Sequence, residues 1–463
     1  MKSFYLTSLL LLIAAFSYAQ WNTDSTQRNP ICIQPHVQLL PLLCTDGHSG
    51  AIIAWEDGRN SASTDVYVQH IDADGVIKWA ADGIPLSLPD PSLSTVEHYI
   101  VSDNNGGAVI FFEISVDGGA NHIYAQRIDS TGKELWQLGG VPVSVINDSR
   151  MRNVENTASN QAASDGEGGA FLTWQEYVPF AHYVQHIDKN GNPLWGANGE
   201  SATNADSSFG SYGSSIVNTT GGTAVVAFNY AARLYLQRIN VDGSFMWGNT
   251  GALVADSARN NSGGQDNYLV FDSISSIKNV MLTWIDSRTT PTNGGLYAQK
   301  IDLSGNAIWK KNGINITSSP DVTDISFPDM VIDKTGGFFV IYDSVSVGKI
   351  QHLNNNGQLL WGTGKNVSNV FSADMPVITD DGSDGIIAAW HDNHFGQGIF
   401  TQHFDGSGNA LWRANGIPVV NKNEDVNHST NPIISTGNGG AIITWADDRN
   451  AVTSTDIYAA KVG

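Results

Sequence analysis

The chain predicts an all-β fold, a single closed eight-bladed β-propeller with four-stranded blades, and three observations carry that prediction. The first is repetition. An apolar run ending in Trp or another aromatic, then Y-x-Q-x-I-D-x-x-G, then a second Trp recurs along almost the whole length, most clearly in GAIIAWEDGRNSASTDVYVQHIDADGVIKW from Gly50 to Trp79 and GIIAAWHDNHFGQGIFTQHFDGSGNALW from Gly385 to Trp412. A period of roughly 50–60 residues carrying several short strands belongs to propellers or solenoids, because one unit cannot bury both of its faces alone. The second is the count: the first aromatic recurs as Trp55, Phe112, Trp174, Phe228, Trp284, Tyr342, Trp390 and Trp445. The third is that the two ends complement each other. The last unit stops at DIYAAKVG, before its second Trp, while Trp21–Gln34 (WNTDSTQRNPICIQ) matches a detached final strand such as LWRANGIPVVN. Residues 20–34 are therefore expected to complete the eighth blade and close the ring.

Within a unit, strand a falls on segments such as NPIIST at Asn431, strand b on AIITW at Ala441, strand c on DIYAAKV and strand d on the Trp segment. Each is short and alternates apolar positions. The a–b turn is Gly-rich (DGEGG at Asp165, GNGG at Gly437) and the c–d turn reads D-x-x-G or N-x-x-G. Glycine tolerates the positive φ that tight hairpins require, so these glycines are read as fold rather than as phosphate cradles.

The second Trp recurs as Trp21, Trp79, Trp136, Trp195, Trp247, Trp309, Trp361 and Trp412, and the surrounding segment, as in IDSTGKELW from Ile128 to Trp136, resembles the Trp-docking propellers. That group includes quinoprotein dehydrogenases and outer-membrane assembly scaffolds, and in it the Trp of each blade packs over its neighbour. The resemblance covers all eight units and is architectural: one residue fewer separates the Asp from the Gly here, and no catalytic residue carries over. The chain is also similar to secreted repeat proteins of gram-negative bacteria.

Residues 1–19 combine Lys2, the apolar LLLLIAAF and small residues before Gln20, the layout of a cleavable secretory signal. The propeller, residues 20–463, is thus expected to be secreted or to reside in the periplasm or envelope, as a monomer. No other segment has the roughly 20 apolar residues of a membrane helix. Forty-five Asp and Glu against 24 Lys and Arg leave a net charge of −21, which argues against nucleic acid as a partner.

Alternation puts the short a–b and c–d turns on one rim and the variable b–c loops and d–a connections on the other, where binding sites on rigid scaffolds usually lie. Two residues after the first aromatic stands a carboxylate in five units: Asp57, Glu176, Asp286, Asp392 and Asp447. In three of them Arg follows at the same offset, as Arg59, Arg288 and Arg449. The structural reading is an Asp that caps the loop and pairs with its Arg; the functional reading is a partial acidic ring that holds a cation or a sugar. Repetition favours the first, since a catalytic pair needs two carboxylates in different environments.

A second column, His70, Arg127, His186, Arg238, Lys300, His352, His403 and Lys461, lies on strand c. Its histidines sit in separate blades, too far apart to share a metal whose ligands lie roughly 2.0–2.2 Å away, so hydrogen bonding between blades is expected. The one local ligand cluster is His391, Asp392 and His394. No cofactor is predicted, although a structural or loop-bound cation stays open. Cys32 and Cys44 are expected as two buried thiols on different strands rather than a disulfide. The functional expectation is a non-catalytic binding or scaffold propeller that recognises a protein or carbohydrate through the variable rim. The alternatives are a glycan-active hydrolase or lyase using rim carboxylates and, less well supported for want of adjacent cysteines and large insertions, a quinoprotein-like oxidoreductase. Tyr177, Phe180 and Phe395 are the loop aromatics that either rim reading would use.

Overall fold

Eight antiparallel sheets follow one another around a ring in the computed structural model. It describes Trp21, Asn22 and residues 29–463, except 61–62, 87, 89–92, 117–118, 146–147, 152–159, 178–179, 204–213, 231–232, 257–266, 291–292, 318–324, 370–371, 393–397, 421–431 and 450–453. Residues 1–20, on which the expected signal falls, His394, Phe395 and most of the variable connections lie outside the described residues, as do the side chains of Tyr177 and Phe180.

Blade 1 shows the common plan: strand a Gln38–Thr45, b Ala51–Asp57, c Asp65–Ile71 and d Ile84–Pro85, paired in that order. Blade 3 departs from it, since its inner strand is split into Ser149–Arg150 and Ala162–Ser164, both paired to Ala170–Tyr177. Blade 8 takes its outer strand from the other end of the chain: Asn29–Cys32 pairs antiparallel with Asp456–Val462. The ring is closed by the N-terminal strand, as the incomplete last repeat requires.

The sequence placed strand d on the Trp itself, and the structure moves it a few residues on. In blade 1 the chain leaves the c–d turn, makes an isolated bridge between Ile71 and Ile77, passes Trp79, and pairs as strand d only at Ile84. The Trp is freed from the outer strand by a buried glutamine. In seven blades the strand-c Gln, in Y-x-Q or, in blades 6 and 7, K-x-Q and F-x-Q, accepts the Trp backbone N–H and donates to the carbonyl just after it, as Gln185 does to Trp195 N (2.9 Å) and Gly196 O (2.7 Å).

Seven of the eight tryptophans, from Trp21 to Trp361, reach forward onto the c–d turn of the next blade. Trp21 Nε1 donates to Ala73 O at 2.9 Å across the closure, Trp136 to Lys189 O at 3.1 Å and Trp309 to Asn355 O at 3.1 Å. The ring lies flat on the c–d turn glycine: a Cβ on Gly357 would sit 2.9 Å from Trp309, and its φ of +77° also excludes ordinary side chains. Packing follows the same logic. Eight buried apolar clusters divide the core among the eight seams, one between each pair of neighbouring blades, including blade 8 with blade 1 through Trp21, Ile31, Cys32, Trp55 and Ile442.

The basic column differs from expectation in its first partner. Each histidine pairs within its own blade, with an Asp of the a–b turn: His70 with Asp46 (2.9 Å), His186 with Asp165 (3.1 Å), His352 with Asp333 (2.7 Å) and His403 with Asp381 (2.8 Å). An imidazole is too short to go further. The longer side chains do cross the seam, Arg127 Nη1 to Lys189 O (3.1 Å), Lys300 Nζ to Gly336 O (2.9 Å) and Lys461 Nζ to Ala73 O (3.0 Å).

Candidate functional sites: the loop rim and the channel

The five repeated carboxylates lie in strand b beneath the loop rim, and all are buried, none more than 2% exposed. Asp57 accepts from Trp55 Nε1 at 2.8 Å and from Arg59 N and Nε at 2.9 Å. Burial pushes its carboxyl up, but the Arg59 and Trp55 donors outweigh that and hold it below the usual aspartate value. The guanidinium lies 3.8 Å over the Tyr67 ring and donates to Asp82 O at 2.8 Å. Asp286 and Asp447 repeat the arrangement. Trp284 and Trp445 donate to them at 3.2 and 2.6 Å, and Arg288 and Arg449 lie 4.1 and 4.2 Å over Tyr297 and Tyr458. In blade 3, Glu176 takes Trp174 Nε1 at 2.7 Å and the hydroxyls of Ser144 and Ser149 at 2.9 and 2.5 Å. These carboxylates tie strand b to the loop above it; they do not converge on one point.

Blade 7 breaks the column. Trp390 Nε1 is buried without a hydrogen-bond partner, so Asp392 does not receive it as Asp57 receives Trp55. His391 and Asp392 are both buried in strand b (Ile386–Asp392), where successive side chains face opposite sides of the sheet, so they do not present to one ion. Among the described residues no group of three or more His, Cys, Asp or Glu gathers to hold a metal. Cys32 and Cys44 are free and buried in different seams, Cys32 in that of blades 8 and 1 and Cys44 in that of blades 1 and 2. Burial pushes the Cys32 thiol up to about 12, and Cys44 higher still.

Two arrangements were not legible in the repeats. In blade 2, Glu97 of strand a stands directly opposite Glu113 of strand b, each 3% exposed. Burial pushes Glu113 up to about 7, against the Met151 N–H at 2.6 Å and the Asn121 amide. The other is a cavity of about 380 Å³ on the ring axis, walled by the inner strands of seven blades, with Leu42, Tyr99, Ala162, Tyr268, Asp329 and Val377 among its lining residues. Asp329 accepts from Met330 N at 2.8 Å, from Ile378 N of the next blade at 2.9 Å and from the Tyr268 hydroxyl. Burial raises its carboxyl to about 6 despite those donors.

No protein-family model and no curated protein matches the chain. Among solved structures it is similar to prolyl oligopeptidase B from Galerina marginata, at 10% identity and a TM-score of 0.44 over 91% of this chain and 56% of that one. It therefore spans little more than half of that protein. It is also similar to a protein of unknown function from Dyadobacter fermentans, at 10% identity and a TM-score of 0.41 over 81% and 96% of the two chains. A third is the GH93 alpha-L-arabinofuranosidase of Fusarium graminearum, at 12% identity and a TM-score of 0.36 over 67% and 97%.

Proposed function

We propose that the chain is an exported, non-catalytic binding propeller of the Trp-docking type that holds a protein or carbohydrate on its loop rim. One observation carries this reading. The repeated carboxylates are buried and, with their half-buried arginines, engaged by neighbouring groups of the scaffold, which leaves recognition to the loops, the parts in which the eight units differ. The forward packing of seven of the eight tryptophans onto the next c–d turn supports the repeat type. The test is a thermal-shift screen of the mature protein against a glycan and metal panel, since a ligand of the folded state raises the melting temperature. A shift abolished by Asp392→Ala or His394→Ala supports a rim site. With no shift, a pull-down from a cell-envelope extract that captures no specific protein overturns the reading.

A glycan-active hydrolase is the second reading, and Glu97 with Glu113 is the observation that favours it, because two facing carboxyls, one of them raised by burial, are the equipment of glycoside cleavage. Their slight exposure weighs against it. Hydrolysis of any panel glycan by the wild type, lost in Glu113→Gln, would replace the binding reading.

A further inference from the structure

We infer that the axial cavity is a binding site for a small, uncharged, largely apolar molecule, distinct from the loop rim. Three independent features point to it. The cavity, about 380 Å³, is of small-molecule size and is formed by side chains from seven blades, so it is a product of ring closure rather than a surface dent.

Its wall is also mostly apolar, with Leu42, Leu43, Ile100, Val101, Val377 and Ile433 among its lining residues. The inner edge of every strand a faces the axis unpaired, and such an edge normally presents N–H groups to whatever fills the channel. Here Pro376, at the bulge of strand a in blade 7, and Pro432, just before strand a of blade 8, line the cavity, and Pro41 and Pro328 occupy the corresponding bulges of blades 1 and 6 outside its lining. Proline has no N–H to present. The residue before each bulge proline, Leu40, Phe327 and Met375, takes a positive φ of 54°, 52° and 47°, a conformation that costs of order 1–3 kcal/mol in a non-glycine residue and persists only where the surroundings impose it.

Finally, key polar side chains of the wall are engaged with protein. Asn160 donates to Ile216 O at 3.1 Å and Leu269 O at 2.9 Å and accepts from Leu269 N at 3.3 Å, while Asp329 serves Met330, Ile378 and Tyr268. With these side chains already engaged, an apolar occupant entering from water displaces few of their hydrogen bonds and gains from covering the apolar wall.

The probe is the uncharged naphthalene dye 6-propionyl-2-(dimethylamino)naphthalene, whose emission shifts to the blue in apolar surroundings. The mature protein is expected to bind one dye per chain with a blue shift. Ala162→Phe and Val331→Phe, which fill the cavity from blades 3 and 6, should each weaken binding at least tenfold at an unchanged melting temperature. Free-dye emission with the wild type, or wild-type affinity in both folded variants, overturns the inference. Should either variant fail to fold, wild-type crystals under xenon decide: density on the axis supports the site, and its absence there overturns it. A failed rim screen leaves this result untouched, so the two proposals fail separately.

Discussion

Gln237 donates to Gly248 O at 2.7 Å and accepts from Trp247 N at 3.1 Å with no exposure to solvent. Gln237→Ala removes both hydrogen bonds. It should cost about 1–3 kcal/mol, read as a lower urea midpoint at unchanged m-value. Blade 8 carries Ala460 at this position because its Trp comes from the far end of the chain, so the glutamine column marks which blades are covalently continuous. His98 makes a second residue-scale prediction. Burial pushes its imidazole down to about 4, with Nε2 3.3 Å from Ala54 O. The unfolded chain thus binds a proton that the folded one refuses, and stability falls as pH drops from about 6.5 towards 4, by about 1.4 kcal/mol per unit. Glu113 has the opposite sign: its raised value makes the contribution complete below about 4.5 and lost as pH rises through 7. Glu113→Gln should therefore gain about 2–3 kcal/mol on the wild type between pH 4.5 and 8 in paired denaturation series.

At the scale of the element, the outer strand Asn29–Cys32 does for blade 8 what a covalently linked strand d does in the other seven blades, and Trp21 extends the seam to blade 1. Deleting residues 20–34 exposes the edge of Asp456–Val462 and empties the cluster around Ile31 and Trp55. The melting temperature should fall by on the order of 10 °C or more; an unchanged value would refute the closure. The same element protects Cys32. Native protein should leave both thiols unlabelled by a thiol-reactive disulfide reagent and yield two only on denaturation, because a thiol held this far above its ordinary value forms no useful thiolate.

For the whole molecule, four His–Asp pairs lie on the short-turn rim, in blades 1, 3, 6 and 7. Burial pushes Asp46, Asp165, Asp333 and Asp381 up, but the histidine and backbone donors outweigh it, and each is held below the ordinary aspartate value. Their stabilisation is present above about pH 4 and lost below it, so acid unfolding should steepen there, and Asp333→Asn should flatten the curve. Alternation along short strands, Gly-rich turns and eight aromatic columns are local signals, each readable within a single repeat. For that reason the sequence determined the blade number, the strand plan and the closing segment. It also showed that Asp57, Asp286 and Asp447 had an arginine two residues on, because that pairing spans one loop. Partners far along the chain were beyond it. Ser49 meets Thr436 O at 2.8 Å across 387 residues, the basic column divides between its own blade and the next by side-chain length, and Glu97 faces Glu113 through a register set by a bulge. The axial cavity belongs wholly to the tertiary structure, since its wall takes side chains from each of seven inner strands and exists only once the ring has closed.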